Sequence, residues 1–291
     1  MGKSSKFSLA YMPLLVRLKC CETVSLPEYL GSTLRGAVGW SLSSNREVYS
    51  YLYENGKRSK GSMDIVNPYV IDLPRYHSVY RRGDELRFQF VLIGEAIHYT
   101  SDFIRELMKT EFLELGADRK RFEIIEIMQG NLLQTIWKKG YGKIVQSRYE
   151  VLEDDIYKNV TRCSVLLITP LRIRKKGCLV SEIDFPAIIR NITKRISQIT
   201  ERYGGYIDEQ EAARICDYAR QIQETSREFS LKEIERYSSR RDSIMDVSGM
   251  MGSISCKGKL DDFTPWINAA RILHIGRNVT FGYGKIDAVF W

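Results

Sequence analysis

The segment 274–285, HIGRNVTFGYGK, has the residue types of a phosphate-binding loop. Glycine permits positive φ and lets backbone N–H groups approach an anion without a side chain in the way. An arginine and a lysine flank the glycines and can balance the charge of the anion. The residues predicted to bind phosphate are Gly276, Arg277, Gly282, Tyr283, Gly284 and Lys285.

The place of these glycines along the chain argues against a nucleotide-binding loop. Nucleotide phosphate loops lie between a strand and the helix that follows it. Here a helix-like segment (264–274) comes first, a strand-like segment (285–291) follows, and no GKS or GKT sequence comes after the glycines. The motif therefore favours a phosphate backbone over a nucleoside triphosphate.

The bulk composition is that of a basic globular chain. The 291 residues are 44% hydrophobic and 27% charged, which is enough for a buried core and one or two domains. The net charge of +8 favours polyanionic partners, because each cation placed near a phosphate releases a counterion. No run of 18 apolar residues occurs, and Pro13 and Arg17 interrupt the apolar N-terminal stretch. We therefore expect no transmembrane helix, secretory signal or membrane partner.

The cysteine pattern indicates neither a zinc site nor a disulfide framework. Six cysteines are present, none with CxxC spacing, and most lie in apolar runs where cysteine behaves as a small hydrophobic residue. We expect no metal or other cofactor, and a cytoplasmic location.

The elements predicted from apolar periodicity follow the order strand, helix, strands, helix, strand, and this order occurs twice. In the first half these are a strand at 7–19, a helix opened by Pro27, strands at 69–73 and 86–93, a helix at 100–115 and a strand at 121–128. In the second half they are a strand at 163–174, a helix opened by Pro186, a helical insertion at 208–228, a strand at 247–256, and the helix and strand around the glycines.

This order predicts an α+β chain of two tandem ferredoxin-like (RRM-like) βαββαβ domains. We place the N-terminal domain at 1–155 and the C-terminal domain, with the glycine-rich loop, at 156–291.

Six short segments span almost the whole chain in a recognisable order. They are LRGAVG (34–39), TPLR (169–172), RYSSRR (236–241), GMMGSI (249–254), HIG (274–276) and GRNVTFGYG (276–284). Each alone has a structural explanation, such as close helix packing for the first. Together they resemble the pre-crRNA processing endoribonucleases of the CRISPR-associated RAMP superfamily. The resemblance implies two ferredoxin-like domains and metal-independent cleavage of CRISPR repeat RNA. It also implies that the partners are this RNA, the crRNA product and other CRISPR effector subunits.

Metal-independent RNA cleavage needs a base for the 2′-hydroxyl, an acid for the leaving 5′-oxygen and a cation for the developing charge. Histidine suits both proton transfers because its pKa lies near neutrality. Of the three histidines, we predict His274, beside the glycine-rich loop, as the first candidate. His77, in the basic and aromatic stretch RYHSVYRR, is the second, and we expect His98 to be structural. The alternatives are a residue that binds helix-end carbonyls for His274 and a surface-loop residue for His77.

The first predicted helix contains no histidine, although many members of the resembled family place the catalytic histidine in or near it. Here this helix offers Tyr29 and Trp40 instead. Tyr29 is therefore a third catalytic candidate, and a mechanism that works only by positioning the RNA stays open.

Clustered arginines supply further candidates, because arginine both grips phosphates and stacks on bases. The residues predicted to bind RNA outside the glycine-rich loop are Arg35, Arg236, Arg240 and Arg241.

Three functions remain after these steps. The first is a repeat-specific endoribonuclease that produces crRNA and leaves a 2′,3′-cyclic phosphate. The second is a non-catalytic RAMP subunit that holds guide RNA in an effector complex. The third is a basic protein for another polyanion, against which the ordered segments argue.

Overall fold

The computed structural model describes residues 6–54, 66–141, 147–152, 156–238 and 243–291. The chain divides into two compact units. The N-terminal domain comprises Leu9–Leu152 and Gln198–Gly205, and the C-terminal domain comprises Glu153–Ser197, Tyr206–Trp291 and residues 1–8.

The elements of the N-terminal domain are β1 (Phe7–Cys20), β2 (Val24–Ser25), α1 (Gly31–Leu42), α2 (Arg46–Tyr53), β3 (Tyr69–Asp72), β4 (Val79–Tyr80), β5 (Glu85–Ile93), α3 (Thr100–Thr110), β6 (Phe112–Leu115), β7 (Lys120–Gln129), β8 (Gln134–Lys138) and β9 (Glu150–Leu152). A 3-10 helix, Gly94–Tyr99, precedes α3. The sheet has the order β3-β5-β1-β7-β6 with antiparallel neighbours. Counting β1, β3, β5 and β7 as the four strands gives the order 2-3-1-4 of the ferredoxin-like fold.

Apolar spacing explains α1, but the predicted start of this helix was wrong. Leu34, Val38 and Leu42 are buried on one face of α1, as the helical period requires. The helix begins at Gly31 rather than at Pro27, so Tyr29 lies just before it. The helix predicted at 100–115 also ends early, because Glu111 adopts a φ of 59° and the chain continues as β6.

The elements that follow are β10 (Arg162–Leu171), β11 (Arg174–Lys175), β12 (Cys178–Leu179), α4 (Phe185–Tyr203), β13 (Tyr206–Ile207), α5 (Glu209–Tyr218), β14 (Gln223–Lys232), β15 (Glu235–Ser238), β16 (Ser243–Asp246), β17 (Gly249–Lys257), α6 (Thr264–Leu273) and β18 (Ile286–Phe290). All belong to the C-terminal domain except the end of α4 from Gln198 onwards. Short 3-10 helices lie at Ala219–Gln221, Asp261–Phe263 and Val279–Phe281. The sheet order β14-β17-β10-β18 is again 2-3-1-4 when β10, β14, β17 and β18 are counted. The predicted fold class, tandem ferredoxin-like domains, is confirmed.

One strand of the four-stranded sheet of the second domain, β14, was missed by the sequence prediction. The helical insertion predicted at 208–228 is limited to α5, and the chain from Gln223 onwards is β14. Asp208 caps α5 by accepting hydrogen bonds from the N–H groups of Gln210 and Glu211. Most residues of β14 are exposed, so the strand carries no apolar alternation that could have revealed it.

Within the described ranges, no helix is long and apolar enough to cross a lipid bilayer. All six cysteines lie in these ranges, and each is a free thiol.

Candidate functional site

A short backbone pairing brings two of the three catalytic candidates to the same part of the N-terminal domain. β2 pairs with β4, and the N–H of Leu26 then donates to the carbonyl of Ser78 at 3.0 Å. His77 directly precedes Ser78, and Tyr29 follows Leu26 by three residues. The pairing therefore places His77 beside the segment that leads into α1, where Tyr29 lies half-buried.

The segment that carries His77 has a buried anchor and an exposed cationic surface. The Tyr80 ring packs on Phe122 at 5.8 Å, and its burial raises the pKa of Tyr80. The His77 ring is exposed and lies 5.2 Å from the Tyr80 ring. The exposed cations of the segment are Arg75, Arg81 and Arg82. A solvent-facing imidazole on a segment that also exposes three arginines can meet a phosphodiester.

The exposed face of α1 presents an indole next to open space. Trp40 is 67% exposed, and Gly36, four residues earlier, has no atom within 4 Å of the position that a Cβ would take. Residues four apart are neighbours on a helix surface, so Gly36 leaves the space beside the indole clear. An exposed aromatic ring of this kind offers a flat platform for a nucleic-acid base.

Arg35, also on α1, is held against aromatic rings rather than projecting from the surface. Its guanidinium lies 4.8 Å from the centre of the Tyr53 ring, and its carbonyl accepts a hydrogen bond from the Tyr53 hydroxyl. Burial raises the pKa of the neighbouring Tyr69 to about 12, although the charge of Arg35 acts to lower it. The RNA-binding role predicted for Arg35 stays a prediction, and this geometry gives it a packing role.

His274 is buried in the C-terminal domain, with 0% of its surface exposed. It follows the last residue of α6 with a φ of 54°, and its Nδ1 lies 3.0 Å from the carbonyl oxygen of Tyr283. The imidazole therefore bridges the two ends of the glycine-rich loop. In this conformation it does not face solvent, so the geometry supports a structural role, and its predicted catalytic role stays a prediction. The third histidine, His98, is exposed at the end of the 3-10 helix before α3.

Several backbone N–H groups of the glycine-rich loop are bonded within the protein. Ile275 donates to the carbonyl of Gly284, Gly282 to that of Val279, and Gly284 to that of Pro170. The N–H of Lys285 donates to the hydroxyl of Thr169. The first two bonds close the loop on itself, and the last two hold it against β10. This arrangement differs from the open anion cradle that the sequence suggested.

The glycines of the loop permit close backbone packing. Gly284 has a φ of 68°, and a Cβ there would lie 1.8 Å from the carbonyl oxygen of Ile275. Gly276 has a φ of 77°, and a Cβ there would lie 2.7 Å from the carbonyl oxygen of Arg172. Tyr283 is buried and donates its hydroxyl to the carbonyl of Val247 at 2.6 Å. These close backbone contacts explain why glycine is needed at positions 276 and 284. The role of these glycines in RNA binding stays a prediction.

Arg277 is the exposed cation of this loop, and Lys285 is half-exposed. The N–H of Arg277 donates to the carbonyl of Arg172 at 2.8 Å, which joins the loop to the end of β10. The Arg172 side chain is buried and donates to the carbonyl of Ser248. Burial lowers the pKa of Arg172, and the charges of Arg174 and Arg277 act in the same direction. The charges of Arg174 and Arg277 therefore both act on the Arg172 guanidinium at this end of the sheet.

The remaining predicted arginines lie on the hairpin formed by β15 and β16. The backbone of Arg236 lies in β15, paired with Met245. Arg240 and Arg241 lie outside the described residues. Their predicted contacts with RNA stay predictions.

Sequence reasoning missed a second basic hairpin, formed by β11 and β12. Four of the five residues from Arg172 to Lys176 are cationic, a run that was visible in the sequence. TPLR was interpreted as a segment shared with the resembled family, and residues 163–174 were predicted to form one strand. In the structure β10 ends at Leu171, and a separate hairpin follows.

Among the residues that the structure describes, no group of three or more His, Cys, Asp and Glu side chains is arranged to hold a metal ion.

Two family models match separate parts of the chain. Residues 165–286 match the model for the CRISPR-associated endoribonuclease Cas6. This match covers less than half of the chain. A second model, whose description is only that of an N-terminal domain, matches residues 9–149. Among curated proteins, none matches this chain.

Solved structures of Cas6 proteins share the fold at low sequence identity. A Cas6 product complex has a TM-score of 0.63 and 13% identity, covering 96% of this chain and 100% of that chain. Thermus thermophilus Cas6 has a TM-score of 0.58 and 11% identity, covering 99% of this chain and 100% of that one. A chain of a partial Cas6-RT-Cas1–Cas2 complex has a TM-score of 0.63 and 11% identity, covering 97% of this chain and 46% of that one. At these identities the likeness shows that the Cas6 fold extends over both domains.

Proposed function

We propose that this chain is a metal-independent endoribonuclease that binds CRISPR repeat RNA and cleaves it to guide crRNA. The observation that supports the proposal is the pairing of β2 with β4, which brings the segment of His77 beside the segment of Tyr29 in a chain whose residues 165–286 match the Cas6 model. The 2′-hydroxyl of the RNA is the nucleophile. It attacks the adjacent phosphorus, the bond to the 5′-oxygen breaks, and a 2′,3′-cyclic phosphate remains.

The chemistry of the two side chains assigns their roles in this proposal. The imidazole of His77 is exposed, and the unprotonated ring nitrogen of a histidine can take the proton of the 2′-hydroxyl. The phenol hydroxyl of Tyr29 can donate its proton to the leaving 5′-oxygen. The guanidinium groups of Arg75, Arg81 and Arg82 can balance the charge that develops on the phosphorane.

Trp40 supports the binding part of the proposal. A base of the RNA stacks on its exposed indole, in the space that Gly36 leaves open. Stacking does not select strongly among bases, because every base has a π-face. Trp40 therefore adds affinity, and the repeat sequence is selected elsewhere.

A repeat RNA labelled at its 5′ end, incubated with the protein in EDTA, tests the proposal. A single cut that leaves a 2′,3′-cyclic phosphate, and that disappears when the attacking 2′-hydroxyl is replaced by hydrogen, is the expected result. Cleavage that needs added Mg²⁺ would overturn the metal-independent mechanism.

The alternative is a non-catalytic subunit that holds crRNA beside other CRISPR effector proteins. The burial of His274 and the lack of a histidine in α1 favour it. Tight binding to the repeat without any cut would establish this alternative. Under either function, we propose repeat RNA, crRNA and other CRISPR subunits as the partners.

A further inference from the structure

The hairpin of β11 and β12 presents cations at a defined place on the C-terminal domain. Arg174 pairs with Leu179 and Lys175 with Cys178, so the two-residue turn is Lys176-Gly177. The side chains of Arg174, Lys175 and Lys176 are exposed. No acidic residue occurs between positions 172 and 180. The charge of the hairpin is therefore uniformly positive.

The turn of this hairpin contains a lysine where other residues fit the backbone better. Both turn residues have positive φ, 51° at Lys176 and 85° at Gly177, as a type I′ turn requires. Asn, Asp and Gly are the usual residues at the first of these positions, because side chains other than these rarely adopt positive φ. A lysine at the tip places a charge at the point of the hairpin that extends furthest from its base.

The base of the hairpin is fixed to the core of its domain. Buried Arg172, which directly precedes the hairpin, donates to the carbonyl of Ser248 and accepts from the N–H of Arg277 at its own carbonyl. The carboxylate of Asp246 lies 3.8 Å from the Arg172 guanidinium. A hydrogen bond from Ser248 lowers the pKa of Asp246, and the charges of Arg172 and Arg174 lower it further. The Asp246 carboxylate therefore lies near at least two cations, Arg172 and Arg174.

We propose that the hairpin 174–179, together with Arg277, binds the phosphodiester backbone of RNA. Three features support this site: exposed cations in excess of the neighbouring carboxylate, a lysine at a turn position that disfavours it, and a base fixed by buried hydrogen bonds. A fixed row of cations fits a polyanion with regularly spaced charges, and it reads no base sequence. The site deepens the proposed function, since its ligand is the backbone of the same RNA.

Lys176→Asn tests the turn residue, because RNA binding should weaken while the stability of the protein should not fall. Asparagine fits the first position of a type I′ turn, so the melting temperature should be unchanged or higher. The lost charge should weaken RNA binding and lower the slope of log K against log salt concentration by about 0.7 for one phosphate contact on a single strand. Lys176→Arg, which keeps the charge, should bind as the wild type does. Unchanged affinity and slope in Lys176→Asn would overturn the proposal for this residue.

A triple variant tests the hairpin as a unit. Arg174→Ala, Lys175→Ala and Lys176→Ala together should lower the salt slope by about 2, since each contact contributes about 0.7. The matched control removes three exposed cations that are already paired with carboxylates, Arg46, Arg105 and Arg119. Both variants lose the same net charge, so equal slopes in the two would show that only the overall charge matters and would overturn the site.

The measurement uses a single-stranded homopolymer RNA as well as the repeat RNA. If the hairpin variant has a lower slope than the control on both RNAs, the site is supported whether or not the wild type cleaves the repeat. If the wild type cleaves the repeat and the hairpin variant matches the control on both RNAs, the site is wrong and the proposed endoribonuclease stands.

Discussion

The backbone N–H of Leu26 donates a hydrogen bond of 3.0 Å to the carbonyl oxygen of Ser78. This bond extends the pairing of β2 with β4 and holds the segment of His77 against the segment that leads into α1. The two segments are about 50 residues apart in the sequence, so only the fold shows that His77 and Tyr29 belong to the same region.

His77→Ala and Tyr29→Phe should each lower the single-turnover rate of repeat cleavage by ~10²–10⁴-fold, the usual effect of a general acid or base. RNA affinity should stay within a few-fold of the wild type, because both changes leave the arginines of the segment in place. Rapid-quench assays with enzyme in excess measure the rate, and filter binding measures the affinity.

His98→Ala is the matched control, since His98 is exposed on the same domain and has no proposed role. Its rate should equal that of the wild type. If both His77→Ala and Tyr29→Phe cleave at the wild-type rate, the assignment of base and acid fails and positioning of the RNA becomes the better mechanism.

His274→Ala should destabilise the protein rather than act on the chemistry alone. The change removes a buried imidazole and leaves the carbonyl of Tyr283 without this partner, an effect of about 1–3 kcal/mol. Thermal melting of the wild type and the variant measures the loss. An unchanged melting temperature with a rate lowered by orders of magnitude would instead establish the catalytic role that the sequence suggested.

The sequence predicted most core elements, because their apolar residues follow the period of a helix or a strand. Leu34, Val38 and Leu42 of α1 are an example, and all three are buried. β14 was missed for the opposite reason, since residues such as Thr225, Ser226 and Arg227 are exposed one after another. A strand with little buried surface leaves no periodic signal.

The candidate site was harder to predict than the fold, because glycine serves two purposes that look alike in a sequence. A glycine that lets a phosphate approach and a glycine that lets the protein's own backbone approach need the same missing Cβ. At Gly284 the structure shows the second use, with the carbonyl of Ile275 in the space of a side chain. The cationic run from Arg172 to Lys176 was visible, but its hairpin geometry was not.

Gly284→Val should therefore damage folding at least as much as RNA binding. The new Cβ would lie 1.8 Å from a backbone oxygen, and the φ of 68° disfavours a β-branched residue. Gly36→Ala is the control, because its Cβ meets no atom within 4 Å and alanine in a helix is favoured by about 0.5–1 kcal/mol. Chemical denaturation should show a large loss for the first variant and an unchanged or higher stability for the second. A stable Gly284→Val that fails only to bind RNA would restore the phosphate-loop hypothesis.

Trp40→Ala should weaken RNA binding by about 1–3 kcal/mol, the usual contribution of one stacked base. The stability should not fall, because the indole is mostly exposed and alanine is the best helix former. Tyr141→Ala, which removes another highly exposed aromatic ring, is the control and should bind normally. Quenching of tryptophan fluorescence by RNA should also be smaller in Trp40→Ala. Equal affinities of Trp40→Ala and the wild type would rule out stacking at this position.

The thiols provide a test of the basic hairpin in the unmodified protein. Burial raises the pKa of both Cys163 and Cys256 to about 12, so both thiols are protonated at pH 8 and shielded from reagent. Cys178 is exposed on the hairpin, opposite Lys175. Iodoacetamide at pH 8 should label Cys178 and leave the two buried thiols unmodified, as peptide mass spectrometry would show, because the thiolate is the reactive form. RNA bound along the hairpin should slow the labelling of Cys178 while a small anion such as phosphate at equal ionic strength should not. Labelling of Cys178 at the same rate with and without saturating RNA would show that the RNA backbone does not cover this hairpin.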